Sequence, residues 1–344
     1  MRWLAVEGKT FQSMPLFGVK AYGLIEEYDR HQSIRCRPFD RVYQDGQMFV
    51  KEALDAQGEA LAGRESAWYR RLKQHSFPNI PHIFCYQPLK MEYINGGAIY
   101  VNKKLTGNEK MSVLKQVAMC LQSIHRLESA IADQDSYHEA YIGKAFQRLE
   151  KVRDLVPIAK DKIIQINGRQ CRNVFDCKEE ISKALEQYMP DRFVLLHGDC
   201  TFSNILLRED KSPVFIDPRG YFGDTELYGD PAYDWAKLYY SIVGNYDQFN
   251  RKQFSLEIGD NEVHLQIKSN GWEKMEHEFF RLLQGEVTVQ QIHLLHAVIW
   301  LSLTTYAWDD YDSICGAFYN GLYYLEGAFD EELVKKICVS LRTL

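Results

Sequence analysis

The chain has 344 residues, of which 46% are hydrophobic and 26% are charged, and its formal net charge is −6. This length favours two lobes or domains over one simple core, and the composition is typical of a folded, soluble protein. A nucleic-acid partner is not expected, because phosphate-backbone binding needs a clustered basic surface and the sequence has no dense run of Lys or Arg. A single nucleotide needs only a local site and is not excluded.

The sequence shows no export signal and no membrane span. Residues 1–10 lack the apolar core of a signal peptide, and no run of about 18 apolar residues occurs anywhere. The eight cysteines are scattered without a CxxC pair, which indicates reduced thiols in a cytosolic protein. We therefore expect a cytoplasmic protein, and the sequence gives no indication of its oligomeric state.

The first ninety or so residues are predicted to form strands and one helix. Two apolar runs within 41–51 flank Asp45-Gly46, a pair that favours a tight hairpin turn, so a β-hairpin ends near Lys51. Apolar residues at three- and four-residue steps predict a helix over 61–72. Two short strands are expected next, at 83–86 and 89–94.

The rest of the chain is predicted to be mainly helical. Helical spacing occurs at 111–125, 140–155, 179–188 and 291–304, with strands at 193–196 and 213–216, and helices dominate after Asp234. The simplest architecture is an α+β amino-terminal lobe, residues 1–92, joined to a mainly helical lobe, residues 93–344.

The strongest chemical signal lies where two apolar strands end. The first strand leads into His197-Gly198-Asp199, Asn204 follows five residues later, and the strand at 213–216 ends at Asp217. Phosphoryl transfer needs little more than such a set. One carboxylate orients the attacking hydroxyl and accepts its proton, while an amide oxygen and a second carboxylate hold magnesium.

Residues 197–204, followed by Ile216-Asp217, resemble the signature of the aminoglycoside phosphotransferase and choline kinase superfamily. The family pattern is H-G-D, four residues, N, and then a hydrophobic-Asp strand end. The resemblance implies a protein-kinase-like, two-lobed α+β fold with ATP or GTP in the cleft. It implies that Asp199 is the catalytic base and that Asn204 and Asp217 bind Mg²⁺. Pro218-Arg219-Gly220 follows Asp217, instead of Phe-Gly.

A second segment, 229–236, is similar to the G-D-P-x-x-D-hydrophobic-A segment of the same family. By that resemblance Asp234 has a structural role and braces the catalytic loop through hydrogen bonds. His197 is also expected to shape the loop by hydrogen bonding rather than to react.

The nucleotide site is implied by resemblance further upstream. Lys51 resembles the strand lysine that grips the α- and β-phosphates, and Glu65 on the next helix would pair with it. Glu92, Tyr93 and Ile94 fall where the hinge between the lobes belongs, and backbone groups there would hold the adenine. The loop that covers the phosphates is often rich in Gly, Ser or Asn in the family. Here it corresponds to 32–39, which contains no glycine, so Ser33 or the arginines would contact phosphate instead.

The acceptor is indicated only by two clusters of aromatic and acidic residues. The cluster at 221–230 offers Asp224 and Glu226, and the cluster at 300–311 offers Trp308 and Asp309. Rings beside carboxylates suit an amine or quaternary ammonium group through cation–π and ionic contacts, and they also suit sugar hydroxyls. The second cluster has an alternative interpretation, a helix that packs its aromatic rings into the core.

The sequence therefore predicts a Mg²⁺-dependent kinase that transfers the γ-phosphoryl group of ATP to a hydroxyl of a small molecule. The acceptor is a sugar or an amino alcohol such as choline or an aminoglycoside. One alternative is a protein kinase, against which no Ala-Pro-Glu segment or long activation loop follows Asp217. Another is a nucleotide-binding pseudokinase that serves as a scaffold, and the glycine-free loop is its support.

Overall fold

The computed structural model of the chain describes residues 40–283, 285–305 and 310–330. Ser33, Trp308 and Asp309, together with the glycine-free loop at 32–39, lie outside the described residues. No helix in the described ranges is long and apolar enough to cross a membrane.

The amino-terminal part is built on a four-stranded antiparallel sheet. Its strands are β1 (Asp40–Asp45), β2 (Met48–Ala53), β3 (Ile83–Tyr86) and β4 (Leu89–Glu92), in the spatial order β1-β2-β4-β3. The predicted hairpin is confirmed, since Asp45 pairs with Met48 and Gly46 has a φ of 61°, a left-handed value that glycine adopts at no steric cost. Lys51 thereby comes to lie on the second strand.

Helix α1 (Ala56–Gln74) contacts β2 and contains the predicted helix at 61–72. It begins after Asp55, whose side chain accepts a hydrogen bond from the Gly58 N–H at 2.8 Å, as an N-cap residue does. Its buried face contains Trp68 and Leu72, and the same face carries Glu65 toward the sheet. The helix thus presents one carboxylate from an otherwise apolar surface.

Three small sheets follow around the motif residues. Their strands are β5 (Gly97–Ala98), β6 (Ser129–Ile131), β9 (Arg192–Leu195), β10 (Ile205–Leu207), β11 (Pro213–Phe215), β12 (Tyr221–Phe222), β13 (Thr225–Glu226) and β14 (Tyr228–Gly229). The spatial orders are β11-β10-β5 and β14-β9-β6, and the third sheet is the hairpin β12-β13. The strands predicted at 193–196 and 213–216 are confirmed as β9 and β11.

Helices form most of the remaining chain, and the predicted helices are confirmed with one modification. They are α2 (Gly107–Leu127), α3 (Gln134–His138), α4 (Lys144–Val152), α5 (Lys178–Glu186), α6 (Pro231–Ile242), α7 (Tyr246–Asn250), α8 (Glu276–Leu282), α9 (Val289–Leu303) and α10 (Tyr311–Phe329). The helix predicted at 140–155 ends at Val152, and a π-helical turn, Glu139–Gly143, precedes its regular part. The lobe boundary after residue 92 stays a prediction.

A second four-stranded sheet was not predicted. It consists of β7 (Ile163–Ile166), β8 (Arg169–Arg172), β15 (Phe254–Ile258) and β16 (Glu262–Ile267), in the order β15-β16-β7-β8. The expectation that helices dominate after Asp234 holds for most of that segment but misses the β15-β16 hairpin. Apolar residues alternate along β15, which is a period-two signal, and the turn contains Gly259-Asp260.

Helix α2 packs one apolar face into the continuous core of the helical part and exposes the other face to solvent. Leu121 is fully buried, whereas Met119 on the same helix is 55% exposed. We expect Leu121→Ala to lower the free energy of unfolding by about 2–5 kcal/mol, because it leaves a cavity. Met119→Ala, the matched control, should change it by less than about 0.5 kcal/mol. Urea unfolding followed by tryptophan fluorescence measures both, and equal effects of the two substitutions would contradict this packing.

Candidate active site

The segment after β9 is fixed by one buried carboxylate. Asp234, on α6, is fully buried and accepts hydrogen bonds from the backbone N–H of His197 at 3.0 Å and of Gly198 at 2.7 Å. His125 Nε2 lies 3.1 Å from the same carboxylate. Burial opposes ionisation, but the His125 bond and the N–H donors outweigh it and hold the pKa of Asp234 below its usual value. These are the contacts that the bracing role expected of Asp234 requires.

His197 is a neutral structural group in this geometry. Its ring is buried, and burial lowers its pKa. The Asp199 N–H donates to Nδ1 at 3.2 Å, so the proton resides on Nε2, which lies 3.1 Å from the Ile216 carbonyl oxygen. The imidazole therefore joins the loop that carries Asp199 to the strand end that carries Asp217.

The carboxylate of Asp199 is held on both of its oxygens. The Asn204 amide nitrogen donates to Oδ2 at 2.9 Å and to the Asp199 carbonyl at 2.8 Å. Lys237 Nζ lies 2.9 Å from Oδ1. Sequence reasoning missed Lys237, although it follows Asp234 by three residues on α6 and therefore lies on the same helical face.

Asp217 meets the amino-terminal lobe through Lys51. Lys51 Nζ lies 2.6 Å from Asp217 Oδ1 and 2.6 Å from Glu65 Oε2. Burial opposes the charge on this lysine, but the two carboxylates outweigh it and raise the pKa of Lys51. The structure therefore brings together Lys51 and Glu65, which the sequence placed at the phosphates, and Asp217, which it placed at the metal.

The backbone at Asp217 adopts an uncommon conformation. Its φ is 52°, in the left-handed region that residues other than glycine rarely occupy, although Asp and Asn tolerate it best. Such strain, on the order of 1–3 kcal/mol, persists when the surroundings hold the residue in place, and it occurs often at functional sites.

A cleft of about 380 Å³ lies beside these groups, between the amino-terminal four-stranded sheet and the β11-β10-β5 sheet. All three predicted hinge residues line it, as do Lys51, Glu65, Asn204 and Asp217. Its apolar wall includes Val42, Phe49, Met91, Leu206 and Ile216. Apolar surfaces on both sides of a slot with charged groups at one end suit a base attached to phosphates.

The hinge residues differ in what they can offer a ligand. The N–H groups of Glu92 and Tyr93 donate to His82 and Gln47 carbonyls at 2.8 and 2.9 Å, so both are used within the protein. The Glu92 carboxylate accepts two bonds from the Arg208 guanidinium, at 2.6 and 2.9 Å, which hold its pKa below the usual value. This side chain joins β4 to the helical lobe, and Ile94 lies beyond it at the cleft.

The residues at Asn204 and Asp217 fit a magnesium ion. Mg²⁺ takes oxygen ligands, and proteins commonly supply one or two carboxylates while phosphates and water supply the rest. Since the Asn204 nitrogen is bonded to Asp199, its amide oxygen is the atom able to join a carboxylate oxygen of Asp217. Among the described residues no group of three or more His, Cys, Asp or Glu side chains could hold a metal ion by itself.

The two acidic residues predicted to bind substrate lie on the β12-β13 hairpin. Asp224 and Glu226 are both exposed, and Glu226 lies 3.6 Å from Arg64. The ring of Tyr221, in the same hairpin, has the Arg64, Lys144 and Arg219 cations within 4.6, 5.2 and 4.7 Å of its centroid. The protein's own cations thus contact a ring of the cluster that the sequence had suggested for a substrate amine or sugar.

The chain is similar to known proteins in sequence and in fold. Residues 37–277, well over half of the chain, match the APH family, described as the phosphotransferase enzyme family. The fold is similar to that of choline kinase LicA from Streptococcus pneumoniae, with 13% identity, a TM-score of 0.51 and coverage of 85% of this chain and 90% of that one. It is also similar to a thermostable mutant of aminoglycoside phosphotransferase APH(4)-Ia in its apo form, with 15% identity, a TM-score of 0.52 and coverage of 85% and 95%.

A comparison with curated protein sequences gives no match. The structural likeness confirms the predicted protein-kinase-like, two-lobed α+β fold.

The buried carboxyl of Asp230, at the start of α6, gives a pH dependence that can be tested. Burial raises its pKa to about 6, although the Ala232 N–H and the Tyr141 hydroxyl oppose this shift. The ordinary, unfolded-state value is about 3.9. Because the folded state favours the protonated form, the stability that this carboxyl contributes is complete below about pH 4 and declines as the pH rises to about 6.

Asp230→Asn removes this titration and keeps a residue favoured at helix starts. We expect the unfolding free energy of the variant, relative to wild type, to rise by about 2–3 kcal/mol between pH 4 and pH 7. Urea unfolding at both pH values measures it, with the exposed Asp260→Asn as the control. A difference that does not change with pH would show that folding leaves the pKa of Asp230 at its unfolded-state value.

Proposed function

The chain belongs to the phosphotransferase enzyme family, and we propose that it is a Mg²⁺-dependent kinase that transfers the γ-phosphoryl group of ATP to a hydroxyl of a small molecule. One observation carries the proposal. Asn204, Asp217 and the Lys51–Glu65 pair, taken from distant parts of the sequence, line one cleft, and the Asp199 carboxylate is bonded to Asn204 beside it. The structural neighbours named a choline kinase and an aminoglycoside phosphotransferase support a small-molecule acceptor.

The reaction proposed for these residues is an in-line displacement. Asp199 orients the acceptor hydroxyl and accepts its proton as the oxygen forms a bond to the γ-phosphorus. The bond from that phosphorus to the β,γ-bridging oxygen breaks, and ADP leaves with the electron pair. The Asn204 amide nitrogen fixes the carboxylate for this task, because it bonds both to Oδ2 and to the backbone of the same residue.

We place the nucleotide in the cleft between the amino-terminal sheet and the β11-β10-β5 sheet. Ile94 is the hinge residue proposed to contact the adenine, because the N–H groups of Glu92 and Tyr93 are already bonded. Lys51 binds the α- and β-phosphates, and Glu65 holds it in place. Asn204 and Asp217 would hold Mg²⁺, which would supply positive charge to offset the charge that develops on the phosphates.

Asp199→Asn tests the role of the base. We expect kcat to fall by about 10²–10⁴-fold, because the amide cannot accept the proton, while the affinity for ATP changes little. Product formation with Mg²⁺ and ATP across a panel of sugars and amino alcohols, followed by ³¹P NMR, provides the measurement. Asp260→Asn, an exposed acid away from the cleft, serves as the control. Full activity in Asp199→Asn, or no phosphorylated product from wild type with any hydroxyl acceptor, would sink the proposal.

Lys51→Met tests the phosphate site separately from turnover. Removing this ammonium leaves the Glu65 and Asp217 carboxylates beside the phosphates without their shared cation. We expect the Kd for Mg²⁺–ATP, measured by calorimetry, to rise at least about tenfold. The exposed Lys103→Met should bind as wild type does, and an unchanged Kd in Lys51→Met would place the nucleotide elsewhere.

A further inference from the structure

Glu128 lies where helix α1 meets the strands β9 and β14. It follows the last residue of α2, and its carbonyl oxygen accepts a hydrogen bond from the Leu195 N–H at 3.2 Å. Leu195 is the last residue of β9, the strand that leads into His197 and Asp199. The backbone of Glu128 is therefore joined to the segment that carries the proposed base.

The Glu128 side chain joins the same point to α1 and to β14. Its Oε1 lies 2.5 Å from Nε2 of His75, the residue at which α1 ends, and its Oε2 lies 3.6 Å from Arg71 Nε. The Tyr228 hydroxyl donates to Oε2 at 2.5 Å, and Tyr228 pairs with Leu195 in the ladder between β14 and β9. Both carboxylate oxygens are therefore engaged, one of them by two partners.

Glu128 is ionised in this arrangement. Its side chain is 21% exposed, and burial raises the pKa of its carboxyl, but the three partners outweigh this effect and hold that pKa below its usual value. An ionised carboxylate only accepts hydrogen bonds, so the His75 ring donates. An isolated surface ion pair contributes little, whereas a half-buried carboxylate with several partners orders the groups around it.

Helix α1 contacts the helical part of the protein at several points along its length. A Cβ at Gly220 would come within 2.8 Å of the Arg64 carbonyl oxygen, and Gly220 has a φ of 71°, so both space and backbone conformation favour glycine there. The Trp68 ring meets the His197 ring edge-on, with the centroids 5.3 Å apart. After the helix, the Asn79 amide nitrogen donates to the first carbonyl of β11 at 2.8 Å. Glu128 adds the charged contact at the carboxyl end of α1.

The same helix carries Glu65 to Lys51. Glu65 Oε2 lies 2.6 Å from Lys51 Nζ, and Lys51 Nζ lies 2.6 Å from Asp217 Oδ1. About three helical turns separate Glu65 from His75. Because a helix of this length turns and slides as one body, release of its carboxyl end would let the face that carries Glu65 shift relative to Lys51.

Resting on the function proposed above, we propose that Glu128 is a positioning residue for the phosphate site. It holds the carboxyl end of α1 beside the strand that leads to Asp199, and α1 holds Glu65 where its carboxylate fixes Lys51. One side chain thus relates the lysine proposed to bind the phosphates to the proposed base. Glu128 is not among the residues that line the cleft, so its effect on a bound nucleotide passes through the elements that it joins.

A double-mutant cycle tests whether that route is α1. Calorimetry gives the Kd for Mg²⁺–ATP of wild type, Glu128→Ala, Glu65→Gln and the double variant. We expect Glu128→Ala to raise Kd about three- to tenfold in wild type and to have no further effect once Glu65 is replaced, because its contribution passes through Glu65. Glu128→Gln, which keeps one accepting oxygen, should lose less. Effects that multiply in the double variant, or an unchanged Kd in Glu128→Ala, would overturn the proposal.

Turnover provides a second measurement of the same variant. Glu128→Ala should raise KM for ATP by the same factor as Kd and leave KM for the acceptor unchanged, which a general loss of stability would not do. Glu150→Ala is the matched control, because Glu150 is an exposed glutamate that pairs with Arg153 at 3.5 Å, and it should behave as wild type does. Equal changes in the two KM values would mean that Glu128 only supports the fold.

Hydrogen exchange on the free protein separates this inference from the proposed function. In Glu128→Ala the amides in the carboxyl-terminal half of α1 should exchange about threefold or more faster than in wild type, whereas those of Glu150→Ala should not. Faster exchange in α1, together with no binding of Mg²⁺–ATP by wild type, would refute the nucleotide site and leave Glu128 as an anchor of α1 only. Unchanged exchange together with an unchanged Kd would refute the positioning role and leave the kinase function standing.

Discussion

The buried carboxylate of Asp234 is the constraint on which the site depends. Two consecutive N–H groups converge on it, and it holds them because it is ionised in a place where an unpaired charge would be costly. The loop that it closes positions His197, whose ring in turn holds the strand end before Asp217. Asp199, the proposed base, and Asp217, the proposed metal ligand, are thus positioned by one chain of buried hydrogen bonds.

The two lobes meet through charged pairs placed at opposite ends of the cleft. Lys51 joins the first sheet to Asp217, and Arg208 joins the helical lobe to Glu92 at the hinge. The Arg208 pair is bidentate, which fixes direction as well as distance. The Lys51 contact is of another kind, because phosphate and Mg²⁺ would compete for both partners. The Arg208–Glu92 pair is therefore suited to persist, while under the proposed function the Lys51 contacts are the ones that exchange when a nucleotide binds.

The sequence predicted what is local and missed what is brought together from a distance. The hairpin before Lys51, helix α1 and the strand ends at Asp199 and Asp217 could be predicted because turn residues, periodicity and a contiguous motif mark them. The second sheet pairs segments about ninety residues apart, and nothing within either segment names its partner. The cluster at 221–230 was interpreted from its own rings and acids, whereas Arg64 and Lys144, which determine its charge, come from two other helices.

Asp234 and Lys237 lie on one helix, α6, so a movement of that helix displaces both side chains together. Asp234, which holds the loop at 197–198, and Lys237, which contacts the Asp199 carboxylate, are both carried by α6. Trp235 and Leu238 of this helix are fully buried. A tilt of a few degrees about that apolar anchor would move the long lysine arm farther than the short aspartate. Substitutions deep in the helical core, remote from the cleft, can therefore shift the contact of Lys237 with Asp199, the proposed base, while the loop itself stays closed.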